Sequence, residues 1–403
     1  MGAVFPLSDD FHVNDEVRNL RDVRQIVAVL PERLRSLPVL QGRRHLAGVE
    51  EFVVDIGKPA KVRFSDSARD VALDPAPVTV DDIREVFANV AGAKASRPLH
   101  RRPRTSDGPP AGDAPDPFRA DNRAGIDGSL HRISVLRNTL GDPVGFTLRV
   151  GRSVKGSSVL VTREIRQGRS MLLVGRPGSG KTTALREIAR ALAAMGRRVV
   201  IVDTSNEIGG DGDVPHPAVG DARRIQVKQR TDQAHVMIEA VQNHNPEVIV
   251  IDEIGTSAEA AAASTIAERG VQLIATAHGH TLANVVRNKP LNHLMGGVNT
   301  VILSAREAKG GPKTRVERTR DPTFQLVVEI ITREAWRVHE DVAGAVTKVL
   351  LGDEPDYDVR ELSTPVHALD PDSVGVPITR TWGRAGRQRL RELLEERDRE
   401  REA

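Results

Sequence analysis

A glycine-rich octapeptide near the middle of the chain lies between an apolar run and a segment with helical spacing. Gly175-Arg-Pro-Gly-Ser-Gly-Lys-Thr182 follows the apolar run 171–174 and precedes the helical pattern 181–195. Glycines at these positions let successive backbone N–H groups face one anion, and the start of a helix adds positive partial charge. A strand, this loop and a helix in that order predict a phosphate-binding loop, which requires an α/β fold around it.

The residue types of this loop predict separate tasks. Lys181 is expected to reach the β- and γ-phosphates of a nucleoside triphosphate, and Thr182 to bind Mg²⁺. The backbone of the whole loop is the predicted phosphate cradle, so the motif predicts a site for a nucleotide with magnesium. The cradle comprises Gly175, Arg176, Pro177, Gly178, Ser179, Gly180, Lys181, Thr182 and Thr183.

Acidic residues follow two further apolar runs. Asp252 and Glu253 end the run that starts at 248, while Asp203 and Glu207 follow the run 199–202. Because ligands of open α/β sheets bind at the carboxyl ends of the strands, we expect these side chains near the phosphate loop. Asp252 is the predicted magnesium ligand, directly or through water. Hydrolysis needs a base beside the γ-phosphate, and Glu253 and Glu207 are both candidates.

Two histidines follow the apolar run 271–275. His278 and His280 have a spacing that can ligate zinc, but no third ligand is evident, so a hydrogen bond from His278 to the γ-phosphate is better motivated. The chain contains no cysteine, which excludes disulfides, iron–sulfur clusters, cysteine zinc sites and thiol catalysis, and fits a reducing compartment.

The 403 residues suggest two or three domains. Between 170 and 331, apolar runs that include 298–303 alternate with helical patterns, which predicts a mainly parallel sheet covered on both faces. The expected order is an α+β module at 1–94, an Arg- and Pro-rich flexible linker at 95–120, a β-hairpin lead-in at 121–169, the core at 170–351 and an extension with a charged helix at 352–403.

Charge and hydropathy limit the classes of partner. The chain has 58 Lys and Arg against 55 Asp and Glu, with 8 Phe, 2 Trp and 1 Tyr, which disfavours histone-like binding and base-stacking platforms. The basic stretch Arg97–Arg104 could touch nucleic acid or acidic lipid, although a solvated linker is the favoured interpretation. No apolar run is long enough to span a bilayer and no signal peptide is evident, so a cytoplasmic location is expected.

Several further blocks occur in a fixed order along residues 50–330. They are Val214-Pro-His-Pro217, Asn243-His-Asn-Pro246 and Thr276-Ala-His-Gly279, with Asp121–Ile126, Ser129–Ile133 and Gly145–Arg152 upstream. Together with the loop and the acids, they resemble the ATPase family of stage III sporulation protein AA and its cyanobacterial and chloroplast-encoded relatives. That family is similar, more distantly, to the traffic ATPases of type IV pili and type IV secretion, which are RecA-like hexameric rings.

The resemblance implies a RecA-like core that hydrolyses ATP with Mg²⁺, forms a homo-hexamer and acts on a membrane-associated protein assembly, with the chain itself peripheral at the membrane. It implies catalytic roles for Lys181, Glu207, Glu253 and His278. In the ring relatives, arginines of the preceding domain reach a neighbour's nucleotide. Arg149 and Arg152 are the candidates, with Arg132 behind them, and ordinary surface pairs are the alternative.

The chain also departs from the resemblance. Many plant-lineage relatives carry a C-terminal module for single-stranded nucleic acid marked by Arg-x-x-x-His, a spacing that is absent after Gly352. An ATP-hydrolysing motor is therefore the leading expectation. A single-stranded nucleic-acid-binding ATPase and a nucleotide-gated scaffold that barely turns over are the alternatives.

Overall fold

A computed structural model describes residues 20, 23–42, 46, 48–64, 70–95, 116–119, 121–302, 314–362 and 378–402. Two compact units make up the chain: Met1–Ser153 with Gly210–His216, and Val154–Gly209 with Pro217–Ala403. Most of the predicted linker, and with it Arg97–Arg104, lies outside the described residues, so the nucleic-acid alternative stays a prediction.

The first unit contains an antiparallel six-stranded sheet in the order β3-β2-β1-β6-β5-β4. The predicted hairpin is present as β5 and β6, which turn at Gly141 with a positive φ. Alternating side chains such as Phe52, Ile133 and Phe146 are fully buried in its core, as period-two strands require. The elements are α1 (Glu32–Arg35), β1 (Val49–Asp55), β2 (Pro59–Phe64), β3 (Val71–Pro77), α2 (Val80–Ala95), β4 (Arg123–Ala124), β5 (Arg132–Arg137) and β6 (Pro143–Arg149).

The second unit contains a nine-stranded sheet in the order β17-β16-β15-β14-β7-β11-β10-β8-β9. The neighbours along β14-β7-β11-β10-β8-β9 pair in parallel. The neighbours along β14-β15-β16-β17 pair antiparallel, so the fold is α/β with a mixed sheet. The strands are β7 (Met171–Gly175), β8 (Val199–Asp203), β9 (Arg223–Gln226), β10 (Val248–Ile254), β11 (Gln272–Ala277), β14 (Leu326–Ile330), β15 (Ala335–His339), β16 (Asp358–Leu362) and β17 (Ile378–Trp382).

The run 298–303 was predicted as a strand of this sheet, and that prediction is wrong. Its residues form β12 (Val298–Ile302), which pairs only with β13 (Thr314–Arg318) in a separate two-stranded ribbon within the described chain. Asn299 and Thr300 interrupt the apolar run, and β12 is largely exposed, unlike the continuously buried strands of a covered sheet.

Helices cover both faces of the large sheet, because successive residues of each strand point to opposite sides. Leu172 and Val200 belong to an apolar cluster with α5, α6, α7 and α8, whereas Leu173 and Ile201 belong to a cluster with α4. These helices are α3 (Thr162–Arg166), α4 (Lys181–Ala194), α5 (Gln233–His244), α6 (Ser257–Glu268), α7 (Leu282–Arg287) and α8 (Val342–Leu351).

The predicted charged helix of the extension is present as α9 (Gly383–Glu402). Its Leu390 and Leu393 are buried against Ile331 and Val359, so a short apolar stripe attaches an otherwise charged helix to the sheet. Among the residues that the structure describes, none of the helices has the length and apolar character needed to cross a membrane.

Candidate nucleotide-binding site

The loop between β7 and α4 has the local geometry that the glycine pattern predicts. Helix α4 begins at Lys181 directly after Gly180, whose φ of 96° is in the left-handed region. A Cβ on Gly175 would lie 2.7 Å from the Ser179 Oγ and 2.9 Å from the Ile330 carbonyl oxygen. The loop therefore tolerates no side chain at Gly175 without rearrangement.

Lys181 points into this loop. Its Nζ donates hydrogen bonds to the carbonyl oxygens of Gly175 (2.7 Å) and Arg176 (3.1 Å). Burial lowers the pKa of Lys181, and the negative charge of Glu253 opposes that shift. A half-buried ammonium whose partners are neutral carbonyls binds an anion such as a phosphate more strongly, because donor and acceptor are then both charged.

The loop also fits a phosphate through Ser179. The Ser179 Oγ is buried and has no hydrogen-bond partner among the described residues. An unpaired buried hydroxyl is unfavourable, and an acceptor oxygen placed in the loop would satisfy it. Thr182 and Thr183 lie half-buried in the first turn of α4, where the positive end of the helix faces the loop.

Acidic side chains gather where β8 and β10 end. These strands are parallel neighbours, so Asp203 at the end of β8 and Asp252 in β10 reach the same edge. Burial raises the pKa of Asp252 well above its usual range, and the charges of Asp203, Glu207 and Glu253 raise it further. Burial also raises the pKa of Asp203, against a hydrogen bond from the Gly209 N–H at 2.8 Å.

This cluster fits a divalent cation whose coordination is completed by substrate and water. No group of three or more metal-ligating side chains exists among the described residues. Mg²⁺ bound together with nucleotides commonly takes one or two protein oxygens and keeps phosphate oxygens and waters for the rest. Thr182 and Asp252 stay the predicted ligands, and a cation beside Asp252 would offset the repulsion among the carboxylates.

Glu253 lies at the rim of the cluster with 27% of its side chain exposed. Its Oε1 is 3.1 Å from the Nε2 of His278, and its Oε2 is 3.2 Å from the Nη2 of Arg230. Its backbone carbonyl oxygen accepts a hydrogen bond from Gln233 Nε2 at 2.6 Å. The structure thus brings together Glu253 and His278, which were predicted, and adds Arg230, which was not.

Arg186 of α4 is a second residue that sequence reasoning missed. Its buried guanidinium donates from Nε to the Ile208 carbonyl oxygen at 2.8 Å and from Nη2 to that of Glu207. Burial lowers the pKa of Arg186 to about 10, although the charges of Asp203, Asp252 and Glu207 oppose the shift. The available signal was an arginine within the apolar pattern that spans α4.

The three predicted arginines of the first unit make contacts within that unit. Arg149 is 59% exposed, with its Nε 3.8 Å from the Oε1 of Glu51. Arg152 donates from Nη2 to the Val49 carbonyl oxygen at 2.6 Å. Arg132 lies directly across the β5–β6 ladder from Arg149. A role at a neighbour's nucleotide stays a prediction for all three.

Comparison with known proteins identifies the family of the chain. The family model described as "Sporulation stage III, protein AA" matches residues 144–314. The uncharacterized protein ycf45 of Porphyra purpurea is 54% identical over 85% of this chain, which spans about half (56%) of that protein. The ycf45 protein of Cyanidium caldarium is 42% identical over 61% of this chain and 74% of its own length.

Among solved structures, the Legionella pneumophila ATPase DotB aligns with 78% of this chain and 86% of its own, with 13% identity and a TM-score of 0.43. The resemblance read from the sequence blocks is confirmed by the family model and by the ycf45 proteins. The chain belongs to the family of the ycf45 proteins, and its residues 144–314 match the model of sporulation stage III protein AA.

Proposed function

We propose that this chain binds ATP with Mg²⁺ and hydrolyses it, as the RecA-like core of a homo-oligomeric motor. The observation that carries the proposal is the half-buried Lys181 ammonium inside a glycine loop, close enough to Glu253 for their charges to interact. Phosphate binding and a carboxylate base are the two requirements of nucleotide hydrolysis, and this edge of the sheet supports both.

In the proposed reaction, the Lys181 ammonium and the N–H groups of the loop bind the phosphates. The oxygen of a water forms a bond to the γ-phosphorus, and the bond between that phosphorus and the β–γ bridging oxygen breaks. The bridging oxygen leaves as part of ADP and keeps the electron pair of the broken bond. The water proton passes to the Glu253 carboxylate. Magnesium, when bound by Thr182 and Asp252, would neutralise charge on the phosphates.

We assign the base to Glu253, with Glu207 as the alternative. Glu253 interacts with Lys181 and is partly exposed, so a water can reach it beside the phosphate site. Glu207 acts electrostatically on Asp252, which supports a role in the metal network. We propose that His278, which contacts Glu253, positions that carboxylate or donates to the γ-phosphate.

Substitution of Lys181 and of Glu253 tests this function. Lys181→Ala should abolish measurable ATP binding, because the loop loses the ammonium that is expected to bind the β- and γ-phosphates. Glu253→Gln should keep ATP binding and lower steady-state turnover by roughly 10²–10⁴-fold, the usual contribution of a general base. Nucleotide titration and phosphate release measure the two effects separately.

The matched control is Glu268→Gln, an exposed carboxylate at the end of α6. It should leave binding and turnover unchanged, and circular dichroism should show that all variants fold. Full turnover in Lys181→Ala would contradict the site assignment. Slow single-turnover hydrolysis despite tight binding by the unaltered protein would instead favour the nucleotide-gated scaffold.

A further inference from the structure

Arg230 contacts the proposed base but has no part in the reaction described above. It begins a short 3₁₀ turn, Arg230–Asp232, between the edge strand β9 and helix α5. Its side chain is 59% exposed, and its Nη2 lies 3.2 Å from the Glu253 Oε2. Since His278 meets the other carboxylate oxygen at 3.1 Å, both oxygens of the base are engaged.

This engagement bears on what Glu253 can do. A carboxylate has about four acceptor sites, and the guanidinium occupies one of them and makes the carboxylate a weaker base toward the proton of a water, because a nearby positive charge favours the ionised form. The ion pair is exposed, however, and exposed pairs are weak and exchange readily. A terminal phosphate carries more charge and three acceptor oxygens, so it competes effectively for the same guanidinium.

The chain is anchored at Gln233, directly after the turn that carries Arg230, while the Arg230 side chain itself is largely exposed. Gln233, one residue beyond the turn, donates from Nε2 to the Glu253 carbonyl oxygen at 2.6 Å and accepts from the Thr204 Oγ1 at 2.5 Å. Next to the guanidinium stands Gly255, where a Cβ would lie 3.5 Å from the Arg230 Nη2. An anchored backbone and an exposed side chain suit an arginine that changes its partner.

We infer that Arg230 exchanges Glu253 for the γ-phosphate of the bound nucleoside triphosphate, so that one movement both binds the third phosphate and frees the base. This inference rests on the proposed function. A guanidinium suits the task because its planar fork of donors can form two hydrogen bonds to one phosphate at the same time. ADP offers no γ-phosphate, so with ADP the guanidinium stays on Glu253.

The test compares Arg230→Gln with the unaltered full-length protein. We measure the affinities for ADP and for a non-hydrolysable ATP analogue with an imido β–γ bridge, and the turnover of ATP. Affinity for ADP should stay within about twofold, while affinity for the analogue should fall about tenfold, as expected for one charge-assisted contact. Turnover should fall by about 10³-fold, the lower end of the range for an arginine on transferring phosphate.

Two variants accompany this measurement. Arg230→Lys keeps the charge without the planar fork and should recover part of the analogue affinity. Lys228→Gln removes a neighbouring exposed cation after β9 and should change none of the three quantities.

Arg230→Gln with an unchanged ratio of analogue to ADP affinity and unchanged turnover would overturn the inference. So would equal losses for both nucleotides together with a lower melting temperature, because these indicate a structural role alone. If the unaltered protein binds neither nucleotide, the proposed function itself fails, which is a separate result.

Discussion

The buried guanidinium of Arg186 connects the phosphate loop to the acidic cluster. It lies on α4, the helix that Lys181 begins, and it holds the carbonyl oxygens of Glu207 and Ile208. A guanidinium at this depth has lost its hydration, and the nearby carboxylates Asp203 and Asp252 offset only part of that loss. We infer that Arg186 keeps the segment after β8 beside the site.

Arg186→Met tests this role, because methionine keeps much of the side-chain length without charge or donors. The free energy of unfolding should fall by about 3 kcal/mol, since two carbonyl oxygens lose their donor and buried carboxylates lose their counter-charge. Urea unfolding measures the loss. Arg190→Met, one turn later on α4 and partly exposed, breaks a pair with Glu187 and should cost less. Equal losses in the two variants would argue against a special role for Arg186.

Strands β14 and β15 and helix α7 meet at one buried carboxylate. Glu329 accepts hydrogen bonds from the Leu282 N–H (2.7 Å), from His339 Nε2 (3.0 Å) and from Arg337 Nη1 (3.1 Å). Burial would raise the pKa of Glu329, but the hydrogen bond and charge of His339 and the charge of Arg337 outweigh it and hold the pKa below the ordinary 4.5. This carboxylate ties the first residue of α7 to the centre of the sheet.

The lowered pKa predicts how stability depends on pH. Because the folded state favours the ionised form, the contribution of Glu329 is complete above pH 4.5 and disappears as the pH falls through the folded-state pKa. At neutral pH, Glu329→Gln should cost about 3–5 kcal/mol, since it leaves the largely buried Arg337 guanidinium without its counter-charge.

Urea unfolding of this variant and of the unaltered protein between pH 7 and pH 3 measures the effect. The difference in unfolding free energy should shrink below pH 4.5. Glu268→Gln, which removes an exposed carboxylate, should show no such trend. A difference for Glu329→Gln that stays constant with pH would contradict the linkage.

The proposed assembly of identical chains bears on how each active site is completed. If Arg149 or Arg152 reaches a neighbour's nucleotide, each active site needs residues from two chains. Arg149→Ala should then lower turnover by at least about 10³-fold while leaving nucleotide affinity unchanged, the effect expected for an arginine supplied in trans. Arg84→Ala, which alters an exposed arginine on α2, is the matched control.

Mixing experiments distinguish action between chains from action within one chain. Subunits with Lys181→Ala supply intact arginines, and subunits with Arg149→Ala supply intact phosphate loops. Mixed assemblies should recover part of the turnover that both parents lack, in the fraction separated as the largest oligomer. Absence of recovery would contradict a composite site.

The nucleic-acid alternative has a test of its own. Stimulation of the turnover of the unaltered protein by single-stranded DNA, with a steep salt dependence, would favour that alternative.

The sequence alone predicts the phosphate loop, the α/β class and the acids Asp203 and Asp252, because each depends on neighbouring residues. A loop between a strand and a helix is contiguous, and burial on both faces leaves continuous apolar runs. The same holds for the hairpin β5–β6. In contrast, 298–303 is apolar enough to indicate a strand, but its place outside the sheet depends on what it packs against.

The arrival of Arg230 beside Glu253 and His278 could not be predicted, because it depends on the order of strands. These residues follow β9, lie in β10 and follow β11, and β8 lies between β9 and β10 in the sheet. Arg186 likewise has the pattern of an ordinary helical arginine until β8 and its following segment fold over it. Local hydrogen bonding and periodicity are encoded in adjacent residues, whereas the meeting of distant side chains arises only when the strands pair.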